Sequence, residues 1–248
     1  MEHQTVFDEN KRSFLETTFL RSRNISFIKT DTCIGKSLAL GLYWELWMLP
    51  YIADNYIQET DMIDVGANIG TTSLLMAEIL SPARSVHSFE PIYNDILLIN
   101  VHDNDLKDIV KVYPYGIGKD SREMILEAID LESDTNFGAM SIIEKQIEEM
   151  TERAHVKIKI LPLDHFKFSD VSVIKIDVEG MESEVLEGMY DLIFRCRPTI
   201  LLECFQPQEF QKTEIFQNLA NLGYSMQQIP EGCFDFILKA STDPHRRN

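Results

Sequence analysis

The chain has 248 residues, 44% of them hydrophobic and 25% charged, with a formal net charge of −17. That length is enough for one large α/β domain, or two small ones, with a sizeable core. The acidic balance argues against a nucleic-acid backbone or an anionic membrane surface as partner, since both need a basic footprint.

Taken in chain order, the start MEHQTVFDENKR has no apolar run behind a basic segment, so no secretory leader is expected. Cys33, Cys196, Cys204 and Cys233 are scattered without a C-x-x-C pair. They read as reduced core residues, and the expected location is the cytoplasm. Residues 1–60 are expected to form an N-terminal extension packed on the core. In it, Phe7, Phe14, Leu15, Thr18 and Phe19 fall near helical spacing, ISFIKT reads as a short strand, and YWELWMLPYIADNYI reads as an aromatic amphipathic helix kinked near Pro50. The apolar run around it carries Glu45 and is too short to span a bilayer.

From 61 to 240 the pattern alternates. Strands are expected at MIDVG, SVHSFEP, VKVYPYGI, VSVIKIDVE and TILLECF, with helices at TTSLLMAEIL, NDILLINVHDN and MESEVLEGMYDLIF. In the last, Met181, Val185, Met189 and Leu192 make one apolar stripe. A helix, KTEIFQNLANLG, and two strands, YSMQQI and FDFILKA, close the domain. The alternation predicts a mostly parallel twisted sheet with helices on both faces and an antiparallel C-terminal strand. Between 120 and 168 it lapses into an insertion, where REMILEAID, GAMSII and VKIKILPL read as strands around a polar helix. The tail 241–248 is expected to be disordered.

The first core strand runs into a bare turn, DVGANIG, with Gly66 and Gly70 bracketing Ala67 and Asn68. Glycine there lets the backbone come close to a ligand, and the helix starting near Thr71 points its amides at the turn. Glu90, in FEP with Pro91, lies 20 positions after Gly70, where a carboxylate can accept both hydroxyls of a ribose. The pair indicates an adenosine cofactor. The spacing G-x-x-x-G would force a pyrophosphate past Asn68, whereas an amino-acid end suits a turn flanked by Asp64, so S-adenosylmethionine is favoured over a nicotinamide dinucleotide.

Taken together, IDVGANIG, FEP, NDN, LPLDHF and VIKIDVEGMESEVLEG resemble the FkbM family of S-adenosylmethionine-dependent methyltransferases, in order from about Tyr43 to Glu203. Tyr93 stands where that family often has proline, and FGAMSI only loosely matches its small-residue segment. The resemblance implies a Rossmann-like class I methyltransferase that O-methylates a hydroxyl of a sugar or glycan, or of a non-sugar natural-product alcohol. A nicotinamide-dependent oxidoreductase and a non-catalytic nucleoside-binding domain are the competing readings.

In VIKIDVEG, Lys175, Asp177 and Glu179 alternate with Ile176 and Val178 and are expected to share one face. Charges of both signs at a strand's carboxyl end point to a site. Asp177 is expected to be the base, raised by carboxylate neighbours, with Lys175 orienting it or stabilising the developing alkoxide. Alternatively, Asp177, Glu203 and Asp164 could offer oxygen ligands to Mg2+ or another divalent cation. Glu45 and His165 are expected to contact the acceptor or cofactor, and Tyr115 and Gly116 to border the adenine. His87 reads as structural, Asn94, Asn100 and Asn104 mostly as helix caps, and Tyr43, Trp44, Trp47 and Tyr51 as core. The acceptor, the oligomeric state and any further domain are left open.

Overall fold

The computed structural model describes residues 9–127, 131, 134–136 and 155–241. The segment GAMSII, the polar helix after it and the tail beyond 241 lie outside the described residues.

The first apolar segment departs from its helical spacing. After a 3-10 turn at Glu9–Phe14, β1 (Leu15–Leu20) and β2 (Arg23–Ile28) pair as a hairpin, with Leu15 opposite Ile28 and Leu20 opposite Arg23. Arg21 and Ser22 make the reversal with φ of 50° and 62°, the left-handed pair whose twist suits a two-residue hairpin turn. Two short helices follow, α1 (Ile34–Ala39) and α2 (Met48–Asn55). Pro50 lies in the first turn of α2, where its missing N–H is not needed, so it begins the helix instead of kinking it.

The core then alternates: β3 (Asp61–Val65), α3 (Thr71–Ile79), β4 (Val86–Phe89), α4 (Asn94–His102) and β5 (Val110–Tyr113). Pro114 ends β5, so the expected long strand is split, and β6 (Gly116–Ile117) joins β7 (Arg122–Glu127) and β8 (His155–Leu161) in a separate sheet ordered β6-β8-β7. Next come β9 (Val171–Ile176), α5 (Glu182–Glu187), α6 (Tyr190–Cys196), β10 (Thr199–Glu203), α7 (Pro207–Phe210), α8 (Glu214–Asn221), β11 (Tyr224–Gln228) and β12 (Asp235–Ala240).

The main sheet has the order β11-β12-β10-β9-β3-β4-β5. The five strands from β10 to β5 are parallel, and β12 runs antiparallel to both its neighbours. This is the Rossmann-like, doubly wound arrangement. Strand order reverses between β3 and β9, which opens a crevice beyond their carboxyl ends. Met62 and Val173 face a core shared with β2 and α1 to α4, while Ile63, Val65, Ile174 and Ile176 face the opposite core under α5, α6 and α8.

Side-chain amides attach the hairpin to the sheet's helical layer. Asn100, on α4, accepts from the Ser26 N–H at 2.6 Å and donates to the Ser26 carbonyl at 3.0 Å and to Ile69 O at 2.8 Å. Asn104, four residues on, treats Asn24 the same way at 2.9 and 2.7 Å. The expected capping role is corrected for Asn100: its fully buried amide completes the edge of β2, because an unpaired buried strand edge is costly.

The helix expected across 181–194 is two. Asp164 N–H takes the Gly188 carbonyl at 3.0 Å, and the Asp164 carboxylate accepts from Asp191 N–H and Leu192 N–H at 3.0 and 2.9 Å, which restarts the chain as α6. A Cβ on Gly188 would lie 2.0 Å from the Gly118 carbonyl oxygen, so only glycine fits this break. Among the described residues, no helix is long and apolar enough to cross a membrane.

Candidate active site

The site grows from one rung of the sheet. Ser88, Asp64 and Lys175 are register partners on β4, β3 and β9, so their side chains stand in a row on one face. All three are buried. Ser73, from α3, donates to Asp64 Oδ2 at 2.6 Å and lies 2.8 Å from Ser88 Oγ. Asp64 Oδ1 has no hydrogen-bond partner and is 4.0 Å from Lys175 Nζ. Lys175 Nζ donates to Asp177 Oδ2 at 2.8 Å and to the Gly66 carbonyl at 3.3 Å. Burial alone would push this ammonium down, but the carboxylates of Asp177, Asp64 and Glu45 outweigh it and hold the group above the ordinary lysine value. Lys175 is a permanent cation at neutral pH.

Beyond the rung, the β3 turn lies flush on the β9 turn. Gly66 has φ +77°, and a Cβ there would sit 1.7 Å from the Asp177 carbonyl oxygen. Gly66 N–H and Ala67 N–H both donate to Phe89 O, at 3.0 and 3.1 Å, and Gly70 starts α3. Glu90 ties the two loops together. Its Oε2 accepts from Asn68 N–H at 2.9 Å, and its Oε1 accepts from Ile92 N–H and Tyr93 N–H at 2.7 and 2.9 Å. Burial raises the Glu90 carboxyl, and these three amides oppose that rise.

Between the loops opens a cleft of about 610 Å³, open solvent at its mouth included. Gly66, Asn68, Glu90, Pro91, Gly116, Asp177 and Glu179 line it. One ligand-type oxygen from each of Asp177, Glu179 and Glu203 lies within 4.8 Å of the others. The expectation that neighbouring carboxylates raise Asp177 is reversed. Burial does push it up, but Lys175 and a hydrogen bond with Glu203 hold it below the ordinary carboxylate range. Glu203, raised by burial and by that hydrogen bond, keeps the shared proton. Glu179 is pushed up to about 7, by burial first and then by Asp177 and Glu182. Its φ of 51° puts it past the strand, in the turn.

Against this geometry, a family profile described as the methyltransferase FkbM domain matches residues 64–226, from the buried rung through β11. The chain belongs to the FkbM methyltransferase family. Among solved structures, a methyltransferase FkbM from Methylobacillus flagellatus KT is 14% identical with a TM-score of 0.49, over 77% of this chain and 49% of that one. The chain therefore spans about half the length of that relative. A SAM-dependent O-methyltransferase from Thermotoga maritima is 11% identical over 91% of this chain and 77% of its own, TM-score 0.42. An rRNA methylase from Streptococcus thermophilus is 12% identical over 78% and 95%, TM-score 0.45. No curated relative matches the chain.

Several expected members of the FkbM site stand elsewhere. Asp164 is corrected as a metal candidate, because its carboxylate caps α6; Glu179 takes its place beside Asp177 and Glu203. His165 is exposed on the same turn, edge-on to Phe166 at 5.4 Å, and is not part of the cleft lining. Tyr115 packs on Phe166, with Lys159 Nζ 5.9 Å above its ring, while the adjacent Gly116 does line the cleft. Glu45 does reach the site electrostatically. Burial, together with Asp177, Asp235 and Asp64, pushes it up to about 7 against the pull of Lys175. His87 is structural, held by Tyr113 Oη at 3.0 Å and Asp61 at 3.5 Å. Tyr43, Trp44, Trp47 and Tyr51 pack against the core.

Asp235 was missed. It faces Glu203 across the antiparallel pair of β10 and β12, and burial, with Asp177, pushes it up to about 6. Its signal was an acid heading an apolar strand, in FDFIL.

Proposed function

We propose that this chain transfers a methyl group from S-adenosylmethionine to a hydroxyl of a sugar or glycan, with Glu179 taking the hydroxyl proton. The observation carrying this reading is the position of Glu179: it lines the cleft with a carboxyl pushed up to about 7, so that about half of it is ionised and able to accept a proton at neutral pH.

Gly66, Asn68, Glu90, Pro91 and Gly116 would hold the cofactor. The fit rests on the turn at Gly66, which lines the cleft and can pack against the Asp177 carbonyl only as glycine, and on Glu90. A carboxylate offers about four acceptor positions, and three at Glu90 are used by loop amides, leaving room for one ribose hydroxyl instead of the expected two. When bound, S-adenosylmethionine supplies a methyl already activated on a sulfonium. The chain's task is to prepare the alcohol. Glu179 removes its proton at a carboxylate oxygen. Asp177, ionised and pinned by Lys175, accepts a hydrogen bond from the acceptor and orients it. Lys175 offsets the negative charge of Asp64 and Asp177, and Glu179 becomes neutral as it takes the hydroxyl proton while the oxygen bonds to the methyl carbon.

The Asp177, Glu179 and Glu203 oxygens match the ligand preference of magnesium. The cation already seated on Asp177 is Lys175, so no step is assigned to a metal.

Calorimetry with S-adenosylmethionine and S-adenosylhomocysteine, followed by a labelled-methyl screen over sugars and oligosaccharides with and without EDTA, tests the reading. Binding of both compounds and chelator-insensitive transfer are expected. Failure of either compound to bind, or transfer only to non-hydroxyl acceptors, refutes it.

A further inference from the structure

A second cleft, enclosing about 1370 Å³ out to its mouth, meets the first at Glu179 and Met181, which line both. We propose that this second cleft seats the methyl acceptor, and that Phe205 and Phe234 form an apolar platform for the C–H face of a neutral, hydroxyl-bearing ring. The inference rests on the methyl-transfer reading and adds to it where the acceptor lies and what grips it.

Contiguity is the first support. An acceptor oxygen must come within about 3–3.5 Å of the transferred carbon, so the acceptor has to occupy space continuous with the cofactor cleft and pass the proposed base. The second cleft does both. The platform is the second support. Phe205 and Phe234 lie with ring centroids 4.7 Å apart and planes at 49°, yet are 43% and 44% exposed. Two large rings held together in solvent gain little for stability unless a ligand covers them. Their placement follows from the strand ends. Cys204 N–H donates to Phe234 O at 2.8 Å, and Glu203 pairs with Asp235, so one pair of strand ends presents two rings beside two carboxyls. Phe205 is itself part of the second cleft's lining.

Charge selects the occupant. Glu179, Glu182 and Glu209 in the lining repel an anion. The Arg122 guanidinium, also in the lining, is taken up by Glu184 and Asp120 and so does not draw an anion either. Carboxylates only accept hydrogen bonds when ionised, so a neutral ring rich in O–H donors is the complement.

Saturation-transfer NMR of methyl α-glucoside, α-mannoside, α-galactoside and α-rhamnoside, scored on the protein with and without S-adenosylhomocysteine, tests this. At least one pyranoside should bind through its ring C–H protons, about tenfold more weakly to a Phe205→Ala/Phe234→Ala protein, with binding kept in Phe205→Trp. In the labelled-methyl assay the double variant should raise KM about tenfold and leave kcat within about threefold, with S-adenosylhomocysteine affinity unchanged. A pyranoside that binds both proteins equally, or a panel in which none binds, overturns the proposal. Loss of S-adenosylhomocysteine binding in the unaltered protein sinks the methyl-transfer reading alone, because pyranoside binding is scored without it as well.

Discussion

Replacing Lys175 with methionine removes the one cation from a buried acidic rung while roughly keeping its volume. Its Nζ is 2.8 Å from Asp177 Oδ2 and 4.0 Å from Asp64 Oδ1, and Asp64 is 0% exposed with that oxygen otherwise unpartnered. Deleting one member of a buried ion pair costs about 3–5 kcal/mol, because the remaining charge stays desolvated. At about 2–4 °C per kcal/mol for a chain of this size, the melting temperature should fall by about 6–20 °C. The pH dependence separates this cause from simple mispacking. Lys175 is raised on folding, so its contribution is complete below the unfolded lysine value and lost only above it; it is constant between pH 5 and 8. Asp177 is lowered, so its contribution is present above the unfolded aspartate value and is lost only in stronger acid. Burial already raises Asp64 in the parent against the pull of Lys175; in the variant that pull is gone and burial raises both Asp64 and Asp177, so charging them costs more as pH rises. The deficit against the parent protein should therefore shrink from pH 8 to pH 5. Glu45, Glu179 and Asp235 are each held down by Lys175, so its loss raises them too and adds to the deficit in the same direction. Urea unfolding at four pH values in this range measures it, and Lys175→Met/Asp64→Asn should recover part of the loss. A deficit below about 1 kcal/mol at pH 7, or one that is flat with pH, refutes the account of the rung.

Glu179→Gln should lower kcat by about 10²–10⁴ with cofactor affinity retained. In the parent enzyme the rate should rise with pH through about 7 as Glu179 ionises, and the variant should lack that limb in a pH–rate profile. Gly66→Ala should abolish S-adenosylhomocysteine binding by calorimetry and lower stability by about 2–4 kcal/mol, since its Cβ would overlap the Asp177 carbonyl. Asn100→Leu should cost about 1–3 kcal/mol in urea unfolding, because both polar groups of Ser26 lose their buried partner.

The alternating strands and helices from Asp61 onward were legible because period-2 and period-3.6 apolar patterns are local. The glycine turn, Glu90 and the Lys175–Asp177–Glu179 run were legible because their chemistry sits within a few positions of a strand end. The first strand of the hairpin was not, although ISFIKT marks the second. The apolar residues of β1 mimic helical spacing, and the turn uses Arg21 and Ser22 in place of the glycine or asparagine that marks such a reversal. Nor could spacing show that Asp164 reaches across to cap α6, or that Asp64 and Asp235 flank residues far along the chain. Those facts depend on register, which belongs to the folded sheet.

The asparagine clamp on β2 also sets an order of events during synthesis. Ser26 precedes Asn100 by 74 positions. At about 5–20 residues per second, the ribosome needs about 4–15 s to deliver the partner. Throughout that interval the newborn hairpin carries an open, adhesive flank, guarded only by whatever chaperones attend the nascent polypeptide.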